Sequence, residues 1–239
     1  MHPSLPPLTR LQTTYEGWLV SPALGARKGS VAGKETRRGM RQGRIWAQET
    51  EIGWTAFQTA WATNPSRVFA WSDHHLGHEN LIGYVGRPFG SAAMVDQAML
   101  ANAQATVGPT DWLLFVGDLA MWKDPATVEA WMRDCPGRKV LILGNHDLRG
   151  HFHPTSSQAW LDLGFEAVAE CLVLPANAHA PELWVTHYPL AAHLLPEGVL
   201  NVHGHLHDKT LDGPFVNACV EGLDYRPHLL VEMLSRPRQ

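Results

Sequence analysis

Five times along this chain a run of four or five apolar residues stops at a polar cluster, and that rhythm constrains the fold more than any other feature. Residues 68–71 run into SDHHLGH, 112–116 into GD, 140–143 into GNHD, 183–186 into His187 and 199–202 into HGHLH. Runs this short, rich in Val, Leu, Ile and Trp and closed by glycine or polar residues, read as buried strands. Helical stretches lie between them. Ser91 is placed to cap a helix reaching Ala105, and Asp124 followed by Pro125 starts another reaching Arg133. Strands alternating with helices predict a mostly parallel sheet covered by helices, and the closely spaced later strands, including residues 215–218, predict a second sheet.

The chain has 239 residues, 45% of them apolar, enough for a sizeable core. No apolar run approaches the roughly 18 residues of a spanning helix, which argues against a membrane protein. MHPSLPPLTR shows no basic segment followed by an apolar stretch, so no secretory signal is read there. Cys135, Cys171 and Cys219 are odd in number and match neither a disulfide framework nor a CxxC zinc site. A cytoplasmic location is the expectation, with the three cysteines as small buried residues.

Charge divides the sequence. Residues 1–66 carry eight Lys/Arg against four Asp/Glu, and the remainder eleven against nineteen. Seven of those basic residues fall between Arg27 and Arg44, interleaved with glycine and almost nothing apolar. Such a stretch has too little to bury to offset its ordering entropy, so it reads as partly disordered. A helix is expected over residues 45–62, with Trp54, Phe57 and Trp61 turned toward the body. The organisation expected is an extension over 1–66 and a catalytic domain over 67–239. Oligomeric state is not legible.

The unusual compositional entry is histidine, fourteen residues, all but His2 at position 74 or later. In open α/β sheets ligands bind at the carboxyl ends of strands, and there the chemically capable residues collect: Asp73, His75, Asp118, Asn145, His146, His187, His205 and His207. Carboxylates, imidazoles and an amide oxygen, without cysteine, suit divalent ions such as Mn, Fe, Zn or Ni, Mn foremost. Eight groups exceed the needs of one ion, so two ions sharing a carboxylate, with Asp118 as the bridge, is the economical arrangement. In GHxH the two histidines are two apart and on an extended segment share a face, while Gly204 lets backbone come close to the site.

The series DxH at Asp73 and His75, GD at Gly117 and Asp118, GNHD from Gly144 to Asp147, the single His187 and GHxH from Gly204 to His207 resembles, in that order, the calcineurin-like metallophosphoesterases. The likeness spans about residues 67–232. SDHHLGHENLIGYVGRPF and the late YRPHLL are similar to a bacterial and phage branch of small single-domain members. The resemblance implies an α/β fold, a four-layer α/β/β/α sandwich of two sheets flanked by helices. It also implies hydrolysis of a phosphomonoester or phosphodiester by a metal-bridging hydroxide. Asp73, His75 and His207 would hold one ion, Asn145, His187 and His205 the other, and Asp118 would lie between them. His146 would serve as general acid. Many members carry an aspartate three residues beyond the GD motif that orients this histidine. Met121 stands there, and Asp147, in place of the Glu often found after the histidine, is a nearby candidate supporting carboxylate.

Several residues have other readings. His78 either caps the helix after the first loop or reaches substrate phosphate, which makes it the candidate substrate-binding residue. His203 is read as either background or support to the ligands, and His74 as pointing away from the metals. Arg87 and Arg226 are read as structural, through stacking or carboxylate pairing. Asp162, Glu166 and Glu170 are read as solvated charges around a helix end. The competing functional class is a nucleic-acid-binding protein, or a nuclease, that uses the basic amino-terminal segment.

Overall fold

The computed structural model describes residues 51–121, 125–149, 154 and 156–235. The basic segment 27–44, residues 45–50 of the first expected helix and the Asp124 start signal lie outside the described residues. The elements in chain order are α1 (Glu51–Thr63), β1 (Val68–Trp71), α2 (Glu79–Val85), α3 (Ala92–Thr106), β2 (Trp112–Phe115) and α4 (Pro125–Asp134). They continue with β3 (Arg138–Ile142), α5 (Asn145–Arg149), α6 (Ser157–Asp162), β4 (Phe165–Ala169), β5 (Cys171–Leu174) and β6 (Leu183–Thr186). The last are β7 (Leu200–His203), β8 (Phe215–Asn217), β9 (His228–Leu229) and α7 (Leu230–Met233).

Two sheets form the core. The first has the order β4-β3-β2-β1-β9 and the second β5-β6-β7-β8. β1 to β4 run parallel, β9 pairs antiparallel with β1, and β6, β7 and β8 run parallel beside an antiparallel β5. The register aligns strand ends: Trp71 faces Phe115, and Phe115 faces Leu141, so the loops bearing Asp73, Asp118 and Asn145 leave the same edge. In the second sheet Val185 faces Val202, which brings His187 beside the Gly204 to His207 loop. An isolated bridge, Ser72 with Cys219, joins the two sheets there.

The mixed α/β architecture of two sheets flanked by helices is the one the sequence predicted. Alternation along β5 and β6 shows both faces of the second sheet covered: Leu172, Leu174, Leu183 and Val185 enter the main core, while Cys171, Val173 and Trp184 pack with Leu190 and Val199 outside. α1 packs on the body through buried Trp54, Phe57 and Trp61. Its indole Trp54 Nε1–H donates to the Val168 carbonyl at 3.3 Å and Trp61 Nε1–H to Pro175 at 2.9 Å. Gly53 permits this contact, since a Cβ there would fall 2.0 Å from the Glu166 carbonyl oxygen. Ser91 Oγ caps α3 by accepting from Met94 N–H at 3.3 Å, which offsets one of the unpaired donors of the first turn.

Asp162, Glu166 and Glu170 are expected from sequence as solvated charges around a helix end, but the chain from Phe165 forms two strands. Asp162 does end α6, but Glu166 lies on β4 and takes two hydrogen bonds from Arg138, at 2.8 and 2.7 Å, while Glu170 is buried between β4 and β5. The antiparallel β9, drawn from YRPHLL, was also not anticipated. Among the described residues no helix is long and apolar enough to cross a membrane.

Candidate metal centre

The loops that leave the strand ends are zipped to one another before any side chain is considered. Asp73 N–H donates to Gly117 O, His75 N–H to Asp118 O and Leu76 N–H to Leu119 O, each at 3.0 Å. To turn the side chains inward, the backbone takes an unusual conformation. Asp73, His75, Asp118, His205 and His207 all have φ between +49° and +69°, left-handed values that L-residues seldom adopt and that cluster at functional sites.

Three groups of side chains are close enough to hold a cation: two trios built wholly from residues read as ligands and a third, His75, Asp118 and His146, that links them. Asp73, His75 and His207 bring one ligand atom each within 4.8 Å of one another, and so do Asp118, His187 and His205. Between them His75 Nε2 lies 3.5 Å from Asp118 Oδ2, and Asn145 Oδ1 lies 3.2 Å from His187 Nε2. The structure thus brings together all seven residues read as ligands. His146 is adjacent, with its Nε2 4.0 Å from Asp118 Oδ2 and its side chain about one-third exposed at the rim. His78 sits at the start of α2 but makes no side-chain capping bond; its ring centroid lies 5.6 Å from that of His75 and 6.3 Å from that of His146. His74 points into the core against Trp71 and Phe115, away from the cluster. His203 is buried and bonds Gly204 O through Nδ1.

Polar satisfaction shows that cations fit here. Asp73 Oδ2 is engaged by Ser72 Oγ at 2.6 Å, by His205 N–H at 2.8 Å and by the Cys219 thiol at 3.2 Å. Its other oxygen, Oδ1, is buried and has no hydrogen-bond partner, and both ring nitrogens of His75 are in the same condition. Buried polar atoms are ordinarily paired because desolvating them unpaired costs about 1–3 kcal/mol each. An anionic oxygen and imidazole nitrogens turned toward one another are the donor set a divalent ion takes.

Tautomers follow from the outer partners. His187 Nδ1 contacts the Val116 carbonyl at 2.9 Å and His207 Nδ1 the Glu221 carboxylate at 3.0 Å. Both partners only accept, so each histidine donates from Nδ1 and directs Nε2 inward. Burial opposes a charge on His187, but Asp118 and Asp73 outweigh it and push its pKa up to about 10. Burial likewise opposes ionisation of Asp118, yet the same contact with His187 holds its carboxyl at about 2. Asp73 also lies well below the usual carboxylate range, burial being outweighed by His187 and His75. Burial lowers His205 to about 4, leaving a neutral imidazole at pH 7.

Three groups support the ligands, and of these the sequence reading named only Asp147. Asp147 is fully buried and accepts from Gly144, Asp118 and Leu119 N–H at 2.7 to 2.8 Å. It ties two ligand loops together by their backbones instead of orienting His146. Burial and the neighbouring Asp118 raise its pKa to about 6. Asn217 Nδ2 donates to the His207 and Lys209 carbonyls, and Glu221 supports His207. Arg87 does pair with a carboxylate, Glu221, and lies 5.9 Å from the Tyr225 ring centroid. Glycines complete the packing: a Cβ on Gly204 would meet Ser72 Oγ at 2.1 Å and Asp73 Oδ2 at 2.4 Å.

Two stacked sheets whose parallel strands converge on an Asp/His cluster define the class, a hydrolytic sandwich of the metallophosphoesterase kind. The chain belongs to the calcineurin-like phosphoesterases, whose family model matches residues 66–229. It is 26% identical over 182 residues to the "Uncharacterized protein MJ1445" of Methanocaldococcus jannaschii, covering 71% of this chain and 92% of that protein. The Gene 66 protein of Mycobacterium phage L5 is 28% identical, over 59% of this chain and 78% of its own length. These relatives fit the small single-domain branch. The crystal structure of the Aquifex aeolicus protein of unknown function AQ665 superposes with a TM-score of 0.51 at 23% identity, covering 67% of this chain and 93% of that one, a likeness of fold.

Proposed function

We propose that this protein is a metal-dependent phosphoesterase that uses two divalent ions to hydrolyse a phosphomonoester or phosphodiester. The observation that carries the reading is the pair of ligand trios, Asp73–His75–His207 and Asp118–His187–His205, with the unpartnered Asp73 Oδ1 and His75 ring nitrogens buried in the first. Asp73, His75 and His207 hold one ion, Asn145, His187 and His205 the other, and Asp118 lies between them. The mixed carboxylate, amide and imidazole donors suit Mn, Fe, Zn or Ni, and Mn²⁺ is the ion we test first. When bound, such ions supply Lewis-acid charge for the phosphoryl oxygens and a water of lowered pKa.

The chain's own residues prepare the substrate position. Asn145 contributes a neutral oxygen, which limits the negative charge an incoming phosphate meets. His146 donates its backbone N–H to Asp118 Oδ1 at 2.8 Å, which fixes its Cα beside the carboxylate and leaves the ring at the rim. Burial lowers the pKa of that ring. A phosphate oxyanion alongside pulls in the other direction, so the proton destined for the leaving oxygen is best held once substrate is present. A general acid of this kind contributes about 10²- to 10⁴-fold. His78, next to His146 and half-buried, is the second imidazole available to the phosphate.

Purified protein supplied with Mn²⁺ is expected to cleave an aryl phosphate or a bis-aryl phosphate. Asp118→Asn and His205→Ala should abolish that activity, and His146→Ala should reduce it by the factor above. Wild-type rates in both ligand variants would show the metal assignment to be wrong.

A further inference from the structure

Two motifs in the sequence, GRPF and YRP, have no part in the ligand set, yet the fold brings them together behind it. Arg87 of the first is buried, its side chain 3% exposed against 6% for Glu221. Its guanidinium reaches three acceptors on two different loops. Nε and Nη2 donate to Glu221 Oε1 at 2.9 and 2.7 Å, Nη1 donates to the His74 carbonyl at 2.9 Å, and Nη2 to the Asp73 carbonyl at 2.7 Å. The same Glu221 oxygen accepts from His207 Nδ1 at 3.0 Å. Glu221 stands on a 3₁₀ turn, Val220–Leu223, that ends in two left-handed residues, Asp224 and Tyr225. Asn102 Nδ2 anchors that ending from α3, donating to the Tyr225 carbonyl at 2.9 Å, and the Tyr225 ring flanks the guanidinium.

We propose that Arg87 and Glu221 form a positioning pair for the Asp73–His75–His207 ion, an inference that rests on the two-ion reading of the site. Glu221 makes His207 a better donor by accepting its Nδ1 proton, and Arg87 fixes where that carboxylate stands. The same guanidinium holds the backbone of Asp73 and His74, so one cation sets the distance between the first and the last ligand loops. The second trio is backed differently: His187 Nδ1 meets a neutral carbonyl, Val116 O. Outer partners of ligating histidines typically change metal affinity by about 10- to 100-fold, and here the change falls on one ion of the two.

The test is a Mn²⁺ titration of the full chain, following stoichiometry and affinity, together with the spin-coupled signal that only a filled pair of adjacent Mn²⁺ ions gives. Glu221→Gln keeps the shape and loses the charge. It should weaken one ion by about 10- to 100-fold, leave the other within about twofold and abolish the coupled signal at limiting metal. Arg87→Lys should do the same, because an ammonium cannot span Glu221 and two carbonyls at once. Glu166→Gln breaks an Arg–Glu pair of the same chemistry remote from the site, with Arg138, and should leave both ions unchanged. If Glu221→Gln does not fold, Glu221→Asp, which keeps the charge but is one methylene too short for His207, decides in its place. A folded variant that holds both ions as tightly as wild type overturns the positioning role alone. A wild-type chain that takes up no Mn²⁺ overturns the two-ion reading beneath it.

Discussion

The closest approach in the site is that of Gly204, and it yields a prediction with a computable size. An alanine Cβ there would lie 2.1 Å from Ser72 Oγ and 2.4 Å from Asp73 Oδ2, against an ordinary contact of at least 3.4 Å. Relief therefore requires a shift of about 1 Å, and repulsion rises steeply over such a distance. Asp73 has nowhere to go, since Oδ2 is already held by Ser72, the His205 amide and Cys219. Overpacking of this kind costs about 1–3 kcal/mol, which for a domain of this size lowers Tm by about 2–12 °C. The effect on metal should be larger than the effect on folding. Ligand distances hold within about 0.2 Å, so a 1 Å displacement of Asp73 should cost at least about tenfold in Mn²⁺ affinity. Calorimetric melting without metal and Mn²⁺ titration at pH 7 measure the two effects separately. Gly83→Ala, mid-helix in α2 with nothing within 4 Å, is the control, and should stabilise by about 0.5–1 kcal/mol. A Gly204→Ala protein with wild-type Tm and wild-type affinity would refute the claim that glycine is required there by contact with Asp73.

Two further outcomes are expected. His187 sits above its ordinary 6.5 at about 10 in the ion-free fold, so its proton adds stability that is fully present below pH 6.5 and is lost as pH rises through 10. A cation on Nε2 must displace that proton, and Mn²⁺ affinity should therefore tighten between pH 7 and 10, by up to about tenfold per unit. Titration calorimetry in two buffers of different ionisation heat reads the released proton as a difference in the observed heats, and equal observed heats would contradict it. Asp147→Ala removes the acceptor of three buried N–H groups. At about 1–3 kcal/mol for each donor left unpaired, the loss should exceed about 3 kcal/mol in denaturant melts, whereas a loss under about 1 kcal/mol would mean the two loops hold without it.

The parts of the fold that could be read from sequence were those whose signal is local. VFAW followed by SDHH declares a buried strand and its polar end within a few residues, and the alternation of His74 and His75 already separates the core-facing ring from the cluster-facing one. FEAVAECLVL gave no such signal. Single acidic residues interrupt its apolar positions, and it becomes two strands only because β3 and β6 lie on either side to pair with it. Glu221 was illegible for a related reason. It is 14 residues from His207 and 134 from Arg87, and an acidic residue on a turn looks the same in sequence whether it is solvated or clamped. Asp147 was visible as a residue, but its acceptor role depends on the Asp118 loop arriving from 29 positions away. The left-handed backbone at five ligands has no single-residue signature either, beyond the tolerance of Asp for that conformation.

The cluster draws its ligands from both sheets, which also meet at this edge through the Ser72–Cys219 backbone bridge. Asp73 closes against the His205 loop across 132 residues of chain. Any ion gripped from both sides is therefore a cross-link between distant parts of the polypeptide, comparable in its topology to a disulfide, in a chain whose described cysteines form none. Closing a loop of about 100 residues restricts the unfolded chain by about 4–5 kcal/mol in the entropic picture. Stripping the ions would remove that cross-link and loosen the seam first, while the core shared by the two sheets and α1, bonded to both Val168 and Pro175, still holds them together.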